Sequence, residues 1–158
     1  AIRELRHQGH FNITDQDITN GFAQVCRLTG IMGRWQLISE KPRIICDTGH
    51  NEAGIKFVTE QLLHEKYTNL RIIIGMVSDK KIDKVLALLP KNAIYYFTKA
   101  QILRALNEID LQNQAAEYGL KGNTYPTIAQ AFNQAKQDYI EGDLIFVGGS
   151  NFTVAEIL

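Results

Sequence analysis

Apolar residues follow two alternating patterns along most of the chain. Short continuous apolar runs, such as LRIIIGMV at 70–77, are typical of strands that are covered on both faces. Between these runs, apolar residues recur at helical spacing, as Ile55, Val58 and Leu62 do within 51–66. Alternating strands and amphipathic helices form crossover units, so the pattern predicts an α/β fold with a mostly parallel sheet and helices on both faces.

The predicted α/β part of the chain begins with a hairpin, whose strands 35–40 and 43–47 are separated by Lys41-Pro42. The later strands are predicted at 70–77, 93–98, 123–125 and 143–148, and the helices between and after them at 51–66, 81–89, 103–118, 127–140 and 152–158. Residues 1–30 do not show this alternation of strands and helices. They are predicted to contain a helix that ends near Gly9 and a second helix that has an N-cap at Thr14. We therefore predict that 1–30 is the end of a preceding domain or a pair of linker helices, and that 31–158 is the α/β domain.

Composition narrows the class of protein. The chain has 158 residues, of which 45% are hydrophobic and 22% charged, as in a soluble globular protein. Lys plus Arg and Asp plus Glu number 17 each, so no basic field favours nucleic acid. Cys26 and Cys46 lack metal-site or redox spacing, which predicts reduced thiols in a cytoplasmic protein. No signal peptide or long apolar run is visible, and the start at Ala-Ile-Arg within a helical pattern favours a fragment of a longer protein.

Small and polar residues follow three of the predicted strands: DTGHN at 47–51, GMVSDKK at 75–81 and GGSN at 148–151. The carboxyl ends of parallel strands open onto one edge of a sheet, and each exit precedes a helix whose first N–H groups can bind an anion. The set therefore favours an anionic small molecule such as a nucleotide or an amino acid. The structural alternative is that Asp47 fixes a turn and Asn51 caps a helix. The residues alone leave both readings open.

Several common motifs are missing from the sequence. There is no G-x-x-x-x-G-K-[ST] phosphate loop, which excludes a complete P-loop ATPase, and no G-x-G-x-x-G follows the first strand, which disfavours a dinucleotide oxidoreductase. The histidines and cysteines do not have the spacing of metal ligands, so no metal site is predicted.

Four motifs, in order along nearly the whole chain, resemble the C-terminal domain of folylpolyglutamate synthase/dihydrofolate synthase, a branch of the Mur ligase superfamily. Residues 33–36 (GRWQ) are similar to the family's Gly-Arg-aromatic-Gln/Glu segment, and 47–51 to its Asp-x-Ala/Gly-His-Asn turn. Residues 75–80 resemble the Gly-Met-x-x-Asp-Lys turn, and 149–154 the closing Gly-Ser-x-x-x-Val.

The resemblance implies a Rossmann-like fold of the Mur ligase C-terminal-domain type, which closes over a separate N-terminal P-loop ATPase domain. The whole enzyme would be a cytoplasmic, monomeric amide ligase that uses ATP and Mg²⁺ to join L-glutamate to folate or dihydropteroate through an acyl phosphate. Mg²⁺ would be held mainly by the N-terminal domain. No catalytic residue is assigned to this chain, so the chain alone is predicted to be inactive.

The family's site residues can be carried over by position. Arg34 would contact the ATP phosphates and Asp47 the ribose, in keeping with guanidinium–phosphate and carboxylate–hydroxyl chemistry. The candidates for binding glutamate or for closing the site are His50, Asn51, Lys80 and Ser150.

The sequence departs from the family at two positions. Glu52 replaces the Pro that follows His-Asn, and Leu103 replaces the Pro before Arg104, so Arg104 is left out of the predicted site. Two alternatives are the C-terminal domain of a cell-wall Mur ligase and a stand-alone nucleotide-binding module. The Gly-Met-x-x-Asp-Lys turn and the His-Asn pair favour the folate branch, and a P-loop upstream in the gene would separate a ligase from a binding module.

Overall fold

The computed structural model describes residues 1–78 and 81–158, which form two compact units, Ala1–Met32 and Gly33–Leu158. The division lies close to the predicted boundary after residue 30, and the assignment of the first part to a preceding domain or linker stays a prediction. None of the helices in the described ranges combines the length and the apolar character needed to traverse a bilayer.

The first unit contains three helices, α1 (Ile2–His7), α2 (Asp15–Ala23) and α3 (Val25–Thr29). Helix α2 begins at the predicted N-cap. The hydroxyl of Thr14 accepts a hydrogen bond from the backbone N–H of Asp17 at 3.1 Å, and the Asp17 carboxylate accepts one from the N–H of Thr14 at 2.9 Å. This capping box satisfies backbone donors that a helix start otherwise leaves free, which confirms the predicted cap.

The second unit is a six-stranded sheet flanked by helices. Its strands are β1 (Gln36–Glu40), β2 (Arg43–Cys46), β3 (Leu70–Ile74), β4 (Ala93–Phe97), β5 (Lys121–Thr124) and β6 (Leu144–Gly148). Its helices are α4 (Glu52–His64), α5 (Asp83–Leu88), α6 (Glu108–Glu117), α7 (Ile128–Gln137) and α8 (Asn151–Ala155).

The strand order is β1-β2-β6-β3-β4-β5, and only the β1–β2 hairpin is antiparallel. The mostly parallel sheet and the hairpin are therefore confirmed. The last strand along the chain, β6, lies between β2 and β3, so the order of strands in space reverses there. In sheets of this kind such a reversal opens a crevice for ligands outside the carboxyl ends of the strands.

Helices cover both faces of the sheet, as predicted. The central strand β3 is buried along its whole length, and its side chains alternate between the two faces. Ile72 and Ile74 lie in the apolar cluster that contains Leu62 of α4, whereas Ile73 lies in the cluster that contains Ala131 of α7. A strand buried in this way needs the continuous apolar run that the sequence shows.

Two of the element boundaries that differ from the prediction are linked to each other. Strand β3 ends at Ile74 rather than at 77, and the helix predicted from 103 begins only at Glu108. Both changes have one cause, because the segment that follows β3 pairs with the segment that precedes α6. Val77 and Ala105 form an isolated antiparallel bridge, and the N–H of Leu106 donates to the carbonyl of Met76 at 2.9 Å.

A buried polar network lies at the amino-terminal edge of the sheet. The Asp143 carboxylate accepts hydrogen bonds from Asn69 at 2.7 Å and from Arg71 at 2.8 Å. Arg71 also donates to the Tyr96 hydroxyl at 2.9 Å, which donates to Asp138 at 2.8 Å. Burial raises the pKa of Tyr96 to about 12, so its hydroxyl keeps its proton. The network joins three neighbouring strands at the edge opposite the polar exits.

Candidate functional site

The carboxyl ends of β2, β6, β3 and β4 lie side by side because these neighbouring strands are parallel. The three polar exits that the sequence predicted to share an edge therefore do so. A fourth segment, 98–107, follows β4 at the same edge.

Arg34 and Asp47 are 13 positions apart in the sequence, and hydrogen bonds bring their segments together. The N–H of Thr48 donates to the carbonyl of Gly33 at 2.9 Å, and the N–H of Trp35 donates to the Asp47 carboxylate at 2.7 Å. The Arg34 guanidinium donates to the hydroxyl of Thr48. The two residues predicted to share one ATP molecule thus lie on paired segments, while their contact with ATP stays a prediction.

Gly33 makes this close approach possible. Its φ is 71°, in the left-handed region that a side chain disfavours. A Cβ at this position would lie 2.8 Å from Cγ2 of Thr48 and 3.0 Å from Cγ1 of Val154. Any larger residue would push the two segments apart.

Asp47 fixes the turn that follows β2. Its Oδ1 accepts a hydrogen bond from the N–H of Gly49 at 2.7 Å, and its Oδ2 accepts the one from Trp35. The structural reading of Asp47 is therefore confirmed. This structural role does not exclude a role of Asp47 in ligand binding, because each carboxylate oxygen has a further lone pair for a ligand hydroxyl.

His50 and Asn51 are oriented by neighbouring backbone groups. Nδ1 of His50 lies 3.0 Å from the carbonyl oxygen of Thr48, which can only accept, so Nδ1 carries the hydrogen. Nε2 of a neutral His50 ring is then an acceptor. Oδ1 of Asn51 accepts from the N–H of Gly54 at 2.8 Å and caps α4, as the structural alternative predicted. The roles of both residues toward glutamate stay predictions.

Ser150 caps α8 after β6. Its hydroxyl oxygen accepts from the N–H of Phe152 at 3.1 Å, which leaves the hydroxyl hydrogen to donate elsewhere. The preceding Gly149 has a φ of 90°, and a Cβ there would lie 2.8 Å from the carbonyl oxygen of Gly75. Gly149 thereby lets the β6 exit pass close to the β3 exit. Lys80, the remaining predicted residue, lies outside the described residues.

His50 borders two cavities at this edge. The larger, of about 140 Å³, is also lined by Glu52, Lys81, Lys84 and Gly149, and Lys84 pairs with Glu52 at 3.3 Å. The smaller, of about 60 Å³, is also lined by Arg104, Ser150 and Phe152. Cationic side chains border both cavities, and the smaller one, which has no acidic residue among its described lining, suits an anionic group better.

Arg104 is a residue that the sequence analysis set aside. The pairing of 76–78 with 104–106 brings it from the exit of β4 to His50 and Ser150. The likeness of its loop to a family segment was a signal, but Leu103 in place of Pro weakened it. The contact that moves Arg104 into the site depends on tertiary pairing.

The described part of this domain does not bring metal ligands together. Among residues 1–78 and 81–158, no group of three or more His, Cys, Asp or Glu side chains could hold a metal ion. The described residues thus do not fit the role of a magnesium site.

The fold and the site define an α/β domain with a mostly parallel sheet and with an arginine, a carboxylate and an imidazole at one edge of that sheet. The family described as "Mur ligase, glutamate ligase domain" matches residues 33–151, and the chain belongs to this family.

Similar proteins come from the folate branch, as the motifs indicated. The chain is 29% identical to the dihydrofolate synthase/folylpolyglutamate synthase of Escherichia coli strain K12. The match covers the whole of this chain and 36% of that protein. It resembles the structure of E. coli FolC in complex with DHPP and ADP, with a TM-score of 0.76 and 28% identity, covering 94% of this chain and 34% of that one. It also resembles a bifunctional folylpolyglutamate synthase/dihydrofolate synthase with Mn, AMPPNP and L-glutamate bound, with a TM-score of 0.78 and 28% identity, covering 96% of this chain and 36% of that one. The chain thus spans about a third of the length of these relatives.

Proposed function

We propose that this chain is the C-terminal domain of an ATP-dependent ligase that joins L-glutamate to folate or dihydropteroate. The observation that carries the proposal is the pairing of the Arg34 and Asp47 segments beside the cavities that His50 borders. One edge then offers separate groups to a nucleotide and to an amino acid. The relatives' bound AMPPNP and L-glutamate support this assignment.

The nucleotide side of the proposed site is formed by Arg34 and Asp47. Arg34 is exposed, and its guanidinium donates to the Thr48 hydroxyl through one terminal nitrogen, which leaves further N–H groups to donate to phosphate oxygens. The free lone pairs of Asp47 can accept hydrogen bonds from ribose hydroxyls. ATP binding would then rest on the same turn that Asp47 stabilises.

The amino-acid side is formed by His50 and Ser150, with Asn51 and Lys80 as further candidates. The Nε2 atom of a neutral His50 can accept a hydrogen bond from the substrate's amino group, and the Ser150 hydroxyl can donate to a carboxylate. These contacts would orient the amine for its attack.

The proposed reaction proceeds in two steps. A substrate carboxylate first attacks the γ-phosphorus of ATP, forming an acyl phosphate and releasing ADP. The glutamate nitrogen then attacks the acyl carbon, the C–N bond forms, inorganic phosphate leaves, and the amine loses a proton. The residues of this chain bind and orient ATP and glutamate in both steps.

The remaining parts are proposed to lie outside this chain. A phosphate-binding domain would hold the triphosphate and a divalent cation, Mg²⁺ in the cell, because the described residues here offer no metal ligand group. We propose that the whole protein is monomeric and cytoplasmic, in keeping with two cysteines that lack redox or metal spacing.

The experiment is an ADP-release assay on the protein encoded by the complete gene. ADP release should require both L-glutamate and either a folate or dihydropteroate, and a labelled product should contain glutamate in amide linkage. A cell-wall precursor as the acceptor is the matched control, and this chain alone should release no ADP above background. Turnover with only the cell-wall precursor, or ATP hydrolysis by this chain alone, would contradict the proposal.

A further inference from the structure

Trp35 lies between Arg34 and strand β1, and its backbone is held in an unfavourable conformation. Its φ is 41°, in the left-handed region that a side chain disfavours, and Gly33 on the other side of Arg34 has a φ of 71°. A glycine at position 35 would adopt this conformation without the cost. The chain has the largest side chain there instead, which indicates that contacts of the indole ring offset the cost.

The indole ring of Trp35 connects this turn to the core of the sheet. Trp35 is partly buried and packs against the apolar cluster that contains Leu62 of α4. Its ring centroid lies 6.2 Å from that of Phe146 in β6, with an angle of 34° between the planes, within the range of an aromatic pair. Phe146 is buried, and a Cβ at Gly148 would lie 2.6 Å from its Cε1 atom, so the Phe146 ring lies against the end of β6. Trp35 therefore ties the turn that carries Arg34 to β6 as well as to β2.

Hydrogen bonds fix the backbone on both sides of Arg34. The N–H of Trp35 donates to the Asp47 carboxylate at 2.7 Å, and the N–H of Gly33 donates to the side-chain oxygen of Gln36 at 2.7 Å. The side chain of Arg34, by contrast, is exposed. An exposed guanidinium on a fixed backbone loses less entropy when it binds a phosphate than one on a mobile loop.

We propose that Trp35 is a positioning residue for the nucleotide and acts through Arg34. The assignment rests on the proposed function, which it deepens. In this arrangement the indole ring holds the turn against β6, the turn fixes the backbone of Arg34, and the guanidinium contacts the ATP phosphates. The contact that matters is the aromatic pair with Phe146, so phenylalanine at position 35 should serve nearly as well as tryptophan.

The test is a double-mutant cycle with Trp35→Ala and Arg34→Ala in the complete protein. Trp35→Ala should raise the ATP KM about 3- to 10-fold, because Arg34 loses its fixed position, while kcat at saturating ATP and the glutamate KM should change little. In the Arg34→Ala background, Trp35→Ala should change the ATP KM less than about 2-fold, since two residues that act as a unit are not additive. Trp35→Phe should keep the ATP KM close to that of the wild type.

Tyr67→Ala is the control that separates positioning from a loss of stability. Tyr67 is an aromatic residue that packs, partly buried, against the same apolar cluster, but it precedes β3 at the opposite edge of the sheet. Both alanine variants should lower the melting temperature, and only Trp35→Ala should raise the ATP KM. Trp35→Leu keeps apolar bulk without the aromatic pair and provides the same comparison should Trp35→Ala fail to fold. The assignment is wrong if Trp35→Ala has the same effect on the ATP KM with and without the Arg34 side chain, or if Tyr67→Ala raises it as much.

Binding measured without turnover separates this assignment from the proposed function. The probe is AMPPNP with Mg²⁺, titrated by calorimetry into the wild type and the variants. A protein that binds AMPPNP through Arg34, and in which Trp35→Ala weakens binding only when Arg34 is present, but that does not ligate glutamate, would overturn the proposed function and leave the assignment standing. A protein that ligates glutamate and loses AMPPNP affinity in Arg34→Ala but not in Trp35→Ala would overturn the assignment alone. Full affinity in both variants would also overturn it, because Arg34 would then not hold the nucleotide.

Discussion

The carboxylate of Asp47 holds the backbone N–H of Trp35 at 2.7 Å, and Trp35 has a φ of 41°. A left-handed conformation is costly for a bulky residue and persists where neighbouring contacts impose it. Asp47 therefore stabilises a strained turn, and that turn carries Arg34. A change at Asp47 acts on the fold and on the proposed nucleotide site together, whereas a change at Arg34 acts on the site alone.

Arg34→Ala should weaken ATP use with little loss of stability. Arg34 is exposed, and the change removes one hydrogen bond, to the partly buried hydroxyl of Thr48, which should cost about 1 kcal/mol or less. The loss of a charge-assisted contact to phosphate should raise the ATP KM of the complete protein about 10- to 150-fold. Steady-state kinetics and a melting curve of the same sample check this. An unaltered ATP KM would remove Arg34 from the nucleotide site.

Asp47→Ala should lower both stability and ATP use. The N–H groups of Trp35 and Gly49 lose their acceptor, which should lower the free energy of unfolding by about 1–3 kcal/mol. Denaturant unfolding gives this value, and kinetics well below the melting temperature give the ATP KM. If the variant is destabilised but its ATP KM is that of the wild type, Asp47 only fixes the turn.

Ile73→Ala should destabilise the domain by about 2–5 kcal/mol, as truncation of a buried aliphatic side chain does. Ile73 is 0% exposed in the central strand, and Ile94, a strand isoleucine that is 41% exposed, provides the matched control. Ile94→Ala should change the free energy of unfolding by about 0.5 kcal/mol or less. Equal shifts of the two denaturation midpoints would contradict the central position of β3.

Asp143→Asn should remove part of the acid sensitivity of folding. Burial alone would raise the pKa of Asp143, but hydrogen bonds from Asn69 and Arg71 outweigh it and lower the pKa below its usual value of 3.8. The ionised carboxylate thus contributes stability that is fully present above the unfolded value and is lost as pH falls through the lower folded value.

Unfolding free energies measured from neutral pH down to strongly acidic pH check this prediction. Asp143→Asn should lose about 3–5 kcal/mol at neutral pH, because Arg71 is left buried without its partner, and its stability should fall less steeply in acid. An identical acid slope in the wild type and the variant would show that Asp143 does not titrate with folding.

The two cysteines should differ in reactivity. Cys46 is buried, and burial together with the nearby charge of Asp47 raises the pKa of its thiol to about 11, whereas Cys26 is exposed. At about pH 8 a thiol reagent should label Cys26 in the native protein and both thiols only after denaturation, since the thiolate is the reactive form. Rapid native labelling of Cys46 would show that β2 opens.

Local signals in the sequence predicted much of the fold. The alternation of apolar runs with helical spacing predicted the type of the elements in the α/β domain, and the predicted N-caps Thr14 and Asn51 are observed at the starts of their helices. These features depend on residues a few positions apart, and sequence reasoning is strongest at that range. The sequence alone could not decide whether Asp47 fixes a turn, because its partner Trp35 is distant along the chain.

The parts that could not be predicted depend on contacts between distant segments. Residues 103–107 have a composition that is compatible with a helix, but the pairing of Val77 with Ala105 and the bonds of Ser78 to Arg104 hold them in a loop. No local pattern encodes that pairing. The place of Arg104 beside His50 follows from it, so the three-dimensional structure brings back a residue that the sequence analysis had left out.

The position of β6 has a consequence for how the domain matures. Since β6 separates β2 from β3 and follows both along the chain, the nascent chain can complete this sheet only when β6 has left the ribosome. Until then the facing edges of β2 and β3 lack their shared partner, and such edges are open to wrong pairing. The residues that border the small cavity come from both sides of this gap, so a nascent chain that lacks β6 cannot assemble them. Competence to bind a ligand at this cavity thus arrives in one event, when β6 inserts between β2 and β3.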